Sequence, residues 1–195
     1  MRGDLVVVFA RAPRLGTVKR RLARGIGAMG ALRFYRGALA ATVRAVGSDR
    51  RWRAVIAITP DHARWRATPD RARWRAGLPL VPQGHGDLGA RMARAMRLAR
   101  RVVIVGSDIP GLRRGDVAAA FRALGRAEAV FGPAEDGGYW LVGMGPRRPD
   151  RPFAAVRWSS EHALADTLVN FRGRRVAMLR RLRDVDVVGD LRALS

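Results

Sequence analysis

The sequence predicts an α/β fold with a mostly parallel sheet flanked by helices. Strand-like and helix-like segments alternate along the chain, which is the pattern of βαβ units. Several strand segments, Leu5–Phe9 and Arg101–Val105 above all, are apolar without alternation, as strands covered on both faces are. No linker or shift of composition interrupts the 195 residues, so residues 1–195 read as a single domain long enough to bury a full core.

The elements follow in order. Leu5 to Phe9 is a buried strand, followed by a loop with Pro13 and Gly16, basic residues at 18–24 and a helix from about Ala28 to Val46. Arg53 to Thr59 is a second strand, stopped by Pro60, and residues 61–76 read as helix broken near Pro69. Leu78–Val81 is a short strand, Gly84–Gly89 a glycine-rich loop, and Leu88–Ala99 a helix with Asp87 as its N-cap. Beyond the strand Arg101–Val105 come a helix at Asp116–Leu124 and strands at Glu128–Phe131 and Tyr139–Val142. The close succession of these last two points to one antiparallel excursion. A helix at Glu161–Phe171, a strand at Arg175–Leu179 and a short tail helix complete the chain.

Composition narrows the classes of function. The chain has no cysteine, which excludes disulfides, thiolate zinc sites and cysteine nucleophiles, and its three histidines are scattered. No stretch approaches the ~20 apolar residues of a membrane span, and the N-terminus lacks a secretory pattern, so the expectation is a cytoplasmic protein. The net charge of +22 is carried almost entirely by arginine, with Lys19 the single lysine. Such a field attracts polyanions without specificity, although the arginines are spread along the chain and their use with alanine and glycine also fits GC-rich codons. Arg-Trp-Arg-Ala recurs at 51–54, 64–67 and 73–76, a combination that stacks bases and grips phosphates if its tryptophans are exposed and is core if they are buried.

Two segments match G-x-G-x-x-G. Gly25–Gly30 has no strand before it, as dinucleotide binding requires, and Gly84–Gly89 is better placed, with Asp108 following 19 residues beyond Gly89. Asp87 puts a carboxylate where a pyrophosphate would sit, which counts against NAD or FAD. The loop after the first strand lacks P-loop spacing, yet Gly16, Lys19 and Arg21 offer a flexed backbone and two cations suited to a nucleotide's phosphates.

In so basic a chain the acids are informative. Asp108 follows the strand ending in Val105, Glu135 and Asp136 follow the strand ending in Phe131, and Asp184 and Asp186 follow the last strand. Ligands of open α/β sheets bind outside the carboxyl ends of strands. Carboxylates converging there repel unless a cation lies between them, and Mg2+ or Mn2+ held by one or two carboxylates plus substrate phosphates is the natural guest. As turn or capping residues the same acids would be structural.

The ordered segments FARAPRLGTVKRRL, QGHGDLGARMARA, VVIVGSDIPGL, GPAEDGGYWLVG, RWSS and DVDVVGDL resemble bacterial proteins classed as nucleotide-diphospho-sugar transferases, a group that includes glycosyltransferases assigned to arsenosugar biosynthesis. That group is similar in fold to molybdenum-cofactor and phospholactate guanylyltransferases. The resemblance runs from Val6 to Leu191 and implies a Rossmann-like GT-A fold that binds a nucleotide donor with Mg2+ or Mn2+ and a small-molecule acceptor. It places Gly16, Lys19 and Arg21 near the phosphates and Gly86, Asp87 and Arg91 in the nucleotide-side loop and helix. Asp108 becomes the metal aspartate, with Asp186 reaching the same metal. Gly137, Gly138, Trp158 and Ser159 become acceptor-side residues, and Asp136, with Glu135 beside it, the candidate general base or acceptor-orienting group. The chain departs from the family pattern at Leu15-Gly16, at Arg20, at His85 and at Val187-Val188, the last pair standing where threonine and proline are common.

The expected activity is therefore a metal-dependent glycosyl transfer from a nucleotide-diphospho-sugar. The alternatives are nucleotidyl transfer from a nucleoside triphosphate to a phosphorylated acceptor, and a non-catalytic Arg/Trp-rich binder of nucleic acid.

Overall fold

The structure, a computed structural model, describes residues 3–47, 49–61 and 77–192. The predicted helix at 61–76 and the second and third Arg-Trp-Arg-Ala segments fall, Asp61 apart, outside the described residues. The elements run β1 (Asp4–Arg11), α1 (Arg20–Gly47), β2 (Arg53–Thr59), β3 (Leu80–Pro82), α2 (Leu88–Met96), β4 (Arg101–Gly106), α3 (Arg114–Ala123), β5 (Ala129–Pro133), β6 (Tyr139–Met144), α4 (Ala163–Val169), β7 (Val176–Met178) and α5 (Val188–Arg192).

Seven strands form one sheet in the order β3-β2-β1-β4-β6-β5-β7. The pairs β1–β2, β1–β4, β2–β3 and β5–β7 are parallel, and β6 runs antiparallel to both β4 and β5. This is the α/β fold that the apolar strands demand, with the expected antiparallel excursion made by β6. The chain steps outward from β1 to β2 and β3, then returns to β4 on the other side of β1, so a switch point opens at the carboxyl ends of β1 and β4.

The unbroken apolar run of β1 is explained by two cores. Val6 and Val8 face one way, into a cluster with Tyr35, Leu39 and Val43 of α1 and Phe121 of α3. Leu5 and Val7 face the other way, into a cluster with Met92 and Met96 of α2 and Phe131, Phe153 and Phe171. Trp52, the tryptophan of the first Arg-Trp-Arg-Ala segment, is 6% exposed, packs on Phe121 and donates its indole N–H to the Val46 carbonyl at 2.8 Å. That tryptophan belongs to the core and offers no stacking surface.

Helix α1 begins a full two turns before the predicted Ala28. Gly27, at φ 75°, interrupts regular helical geometry, so an N-terminal piece and a longer piece are joined across a kink. The Gly25–Gly30 match to the dinucleotide pattern thus lies inside a helix. Helix α2 starts at Leu88 as expected, with the Asp87 carboxylate accepting the Ala90 N–H at 2.7 Å. Among the described residues, no helix is long and apolar enough to cross a membrane.

Gly143 sits in the centre of β6, where a Cβ would lie 2.7 Å from Val130 Cγ1 and 3.0 Å from Val103 Cγ2. These branched side chains are fixed by the sheet, so Gly143→Ala is expected to destabilise the fold by about 1–3 kcal/mol, measured by urea unfolding.

Candidate active site

Every parallel strand delivers its carboxyl end to the same edge of the sheet, and β6 begins there. Four segments consequently meet: the loop after β1 with Lys19, the turn after β4 with Asp108, the β5–β6 turn with Asp136, and the stretch after β7 with Asp184 and Asp186.

Lys19 occupies the centre. It precedes α1 in a left-handed conformation, φ 47°, unusual for a residue with a side chain, and its carbonyl accepts the Ala23 N–H. Its side chain is 6% exposed, with Nζ 2.6 Å from Asp108 Oδ2 and 2.7 Å from Asp186 Oδ1. Burial alone would lower the pKa of this ammonium, but the carboxylates of Asp108 and Asp186 outweigh that cost and hold it above the ordinary lysine value. Arg21 stands 3.7 Å from the other Asp186 oxygen. The loop's main cation therefore arrives already matched to two acids, where the sequence pointed to a phosphate.

Tyr35 of α1 braces this arrangement from beneath. Its buried hydroxyl receives the Arg11 N–H and donates to the Arg11 carbonyl, both at 2.9 Å, and lies 3.1 Å from Ser107 Oγ. Burial pushes the phenol up to about 12, against the pull of its hydrogen bonds to Ser107 and Arg11. Gln83, also buried, donates to the carbonyls of Ala10 and Ala57 and ties the ends of β1 and β2 together. Neither residue announces itself in the sequence. Tyr35 carries no motif, while Ser107 and Gln83 lie within VVIVGSDIPGL and QGHGDLGARMARA without being singled out by them.

Two depressions share a wall at Asp108 and Ser159. The first, about 620 Å³, is lined by Arg11, Lys19, Arg20 and Arg21 as well as Tyr35 and Asp186. The second, about 280 Å³, lies on the α2 face and is lined by Phe9, Leu88, Met92, Tyr139 and Trp158, with Asp108, Asp136 and Asp184 as its acids. Ser159 at the divide is also left-handed, φ 60°. Trp158 is held edge-to-face by Tyr139 at 6.5 Å and tilted against Phe153 at 6.2 Å, and Gly89 of α2 leaves room for its ring.

The Glu135–Gly138 turn is built for close approach. Asp136 Oδ1 accepts the Gly138 N–H at 2.9 Å, Gly137 is at φ 85°, and a Cβ on Gly137 would strike the Glu161 carbonyl. The Gly137 carbonyl in turn accepts the Leu164 N–H at 3.0 Å, which fixes α4 to the turn. Glu135 points away from this turn. It pairs with Arg183 at 2.6 Å and does not line either depression, so geometry separates it from Asp136.

Gly16 lies in an exposed turn at φ 72°, next to Thr17 of the basic depression. Gly86, Asp87 and Arg91 stand at the head of α2. Arg91 donates to Gln83 Oε1 at 3.2 Å, and Asp87 is spent on its N-cap, so a pyrophosphate at that helix end would meet a carboxylate.

Asp184 is the site's least comfortable acid. It is half-buried, and burial, reinforced by the charges of Asp136, Asp186 and Asp108 against Lys19, raises its carboxyl to about 6. Neither Asp136 nor Asp184 has an ion-pair partner among the described residues, whereas Asp49, Asp116 and Asp166 are each gripped by arginine. Among the described residues no group of three or more acids or histidines stands in metal-holding geometry. Two carboxylates nevertheless converge on a single cation, the Lys19 ammonium. Hard oxygen donors in that number suit Mg2+ or Mn2+, which complete their shells with water and substrate oxygens.

A raised carboxyl stabilises the fold at low pH. The contribution of Asp184 is complete below its ordinary value and is lost as pH rises through about 6. Asp184→Asn is therefore expected to exceed the wild type in Tm at neutral pH by about 2–4 °C, after discounting for partial exposure. The gap should close toward pH ~4, which thermal unfolding across pH in EDTA would read.

The chain is similar to several solved structures. One, from Desulfovibrio desulfuricans G20 and provisionally named a nucleotide-diphospho-sugar transferase, shares 30% identity over 100% of this chain and 87% of its own, with a TM-score of 0.89. The 4-diphosphocytidyl-2C-methyl-D-erythritol synthase of Anaerococcus prevotii shares the fold at a TM-score of 0.60 and 10% identity, over 98% of this chain and 94% of its own. Glucosyl-3-phosphoglycerate synthase of Mycobacterium tuberculosis, solved with Mn2+, UDP and glucosyl-3-phosphoglycerate, does so at 0.57 and 10%, over 94% and 71%. No curated protein matches. The GT-A-type, Rossmann-like architecture is thus shared with enzymes of nucleotide chemistry. Residues 42–160 match the model of a bacterial family described as "uncharacterized protein conserved in bacteria", and this chain belongs to that family, DUF2064.

Proposed function

We propose that the chain is a transferase that draws on a nucleotide-diphospho-sugar, holding the donor's phosphates in the basic depression and the acceptor in the aromatic one. The carrying observation is the shared wall: Asp108 and Ser159 line both depressions, so a bond made between their occupants forms beside these two residues. The similarity to the Desulfovibrio protein, at 30% identity over the whole chain, supports the donor class.

The residues divide the work. Arg11, Lys19, Arg20 and Arg21 supply charge for the two phosphates, with Lys19 exchanging a carboxylate for a phosphate oxygen as the donor enters. Asp108 and Asp186, which now converge on that ammonium, are the residues that would hold Mg2+ or Mn2+. Such an ion, when bound, supplies positive charge against the leaving diphosphate. Asp136, with Asp184 beside it, takes the proton of the acceptor hydroxyl. The acceptor oxygen bonds to the anomeric carbon, the carbon–oxygen bond to the β-phosphate breaks, and the nucleoside diphosphate leaves with the electron pair. Gly137 and Gly138 shape the acceptor side and Gly16 sits beside Thr17 of the donor side, while Gly86, Asp87 and Arg91, at the head of α2, line neither depression. Glu135 acts through its pairing with Arg183, which secures the stretch leading to Asp184 and Asp186.

Nucleotidyl transfer is the second reading, favoured by the number of cations around the basic depression and by the fold shared with a diphosphocytidyl synthase. The two readings part on the donor. With Mn2+ present, a UDP- or GDP-sugar at a hundred times its Kd should raise the unfolding free energy by about 2.7 kcal/mol, an easily seen thermal shift. A shift confined to a nucleoside triphosphate would select the second reading. Asp108→Asn is expected to abolish the Mn2+-dependent part of the shift with the fold intact, and equal donor affinity in both proteins would remove the metal assignment.

A further inference from the structure

The aromatic depression has a chemical signature of its own. In a chain of net charge +22 its described lining contains three aspartates and no arginine, lysine or histidine. Its walls are Phe9, Leu88, Met92, Tyr139 and Trp158, and its volume is about 280 Å³, near the lower end of what small ligands occupy. The neighbouring depression, across Asp108 and Ser159, gathers four cations. The site is therefore sorted by charge over a single shared wall.

From this sorting we infer that the acceptor is a non-anionic alcohol with an apolar, single-ring body. This identification rests on the transferase reading above. A phosphate or carboxylate on the acceptor would lie beside Asp136 and Asp184 with no cationic side chain of the described lining to meet it. Lys19 and Arg21 are paired with Asp186 on the far side of Asp108, where a metal held by Asp108 and Asp186 would already be matched to the donor's phosphates. A neutral ring, by contrast, fills a space bounded by Trp158, Tyr139 and Met92, with its hydroxyl toward the aspartates. The edge-to-face hold of Tyr139 on Trp158 keeps that wall rigid before anything binds. Acceptors that already carry a phosphate, as nucleotidyl transfer to a phosphorylated molecule needs, are refused by the same aspartates.

Benzyl alcohol and benzyl phosphate make a matched pair of probes. In ligand-observed NMR on the full chain, benzyl alcohol is expected to receive saturation from the protein, and Trp158→Ala is expected to weaken its binding about tenfold. Benzyl phosphate binds the basic surface elsewhere, and its signal should survive Trp158→Ala unchanged. Leu88→Arg, at the half-exposed first position of α2, adds a cation to the pocket wall and should create a benzyl phosphate signal that depends on Trp158. Benzyl phosphate binding in the wild type that is lost with Trp158 would overturn the inference, as would an alcohol signal indifferent to Trp158. Failure of the transferase reading shows separately, as the absence of any nucleotide-dependent thermal shift while the alcohol still binds.

Discussion

One buried ammonium holds the site together. Lys19 joins the loop after β1, the end of β4 and the C-terminal stretch, three segments distant in sequence, and Arg21 adds a longer ionic contact to Asp186. A cation so enclosed is tolerable only because two carboxylates face it, and those carboxylates would repel each other without it. The constraint explains the strained backbone at Lys19. Its φ of 47° accompanies a side chain that is nearly fully buried against Asp108 and Asp186. Tyr35 and Ser107 supply the rigid base from which this geometry is built.

The single antiparallel strand matters as much as the parallel ones. With β6 reversed between β4 and β5, a short turn carrying Asp136 can lie at the carboxyl edge and lead straight back into the sheet through Tyr139 and Trp140. Those two side chains then fall on opposite faces. Tyr139 packs against the core on the α2 side and Trp140 is buried in the other core with its indole N–H on the Arg180 carbonyl, while both border the aromatic depression. The turn is thereby rigid at both ends.

Much of this was legible in the sequence. Apolar runs without alternation gave the doubly covered strands, Asp87 gave the start of α2, and acids after strand ends gave Asp108, Asp136 and Asp186 at one edge. What escaped has physical reasons. The first turns of α1 are hidden by Gly25 and Gly27, whose presence reads as loop; Gly27 does leave helical geometry, while packing of Leu22 on Val185 holds the turns before it helical. Asp184 and Asp186 look equivalent two residues apart, and the folded surroundings separate them: burial, with neighbouring carboxylates, raises the Asp184 carboxyl to about 6, while Asp186 pairs with Lys19. Glu135 and Asp136 are adjacent, and the turn sends them in different directions. The pairing of Lys19 with acids in place of a ligand depends on a left-handed residue that no pattern of side chains encodes.

The distribution of charge separates capture from selection. Nearly all of the net charge of +22 is carried by arginine, so an anionic donor of the proposed kind would be drawn in from a distance, at an encounter rate that falls as salt screens the field. At the mouth of the aromatic depression the sign reverses within the width of Asp108 and Ser159. In the proposed transferase, a donor oriented by that local gradient would reach the site with its phosphates leading away from the acceptor's wall. On that reading orientation would be set during approach, before any snug contact forms, and the excess of arginine would help to aim the substrate.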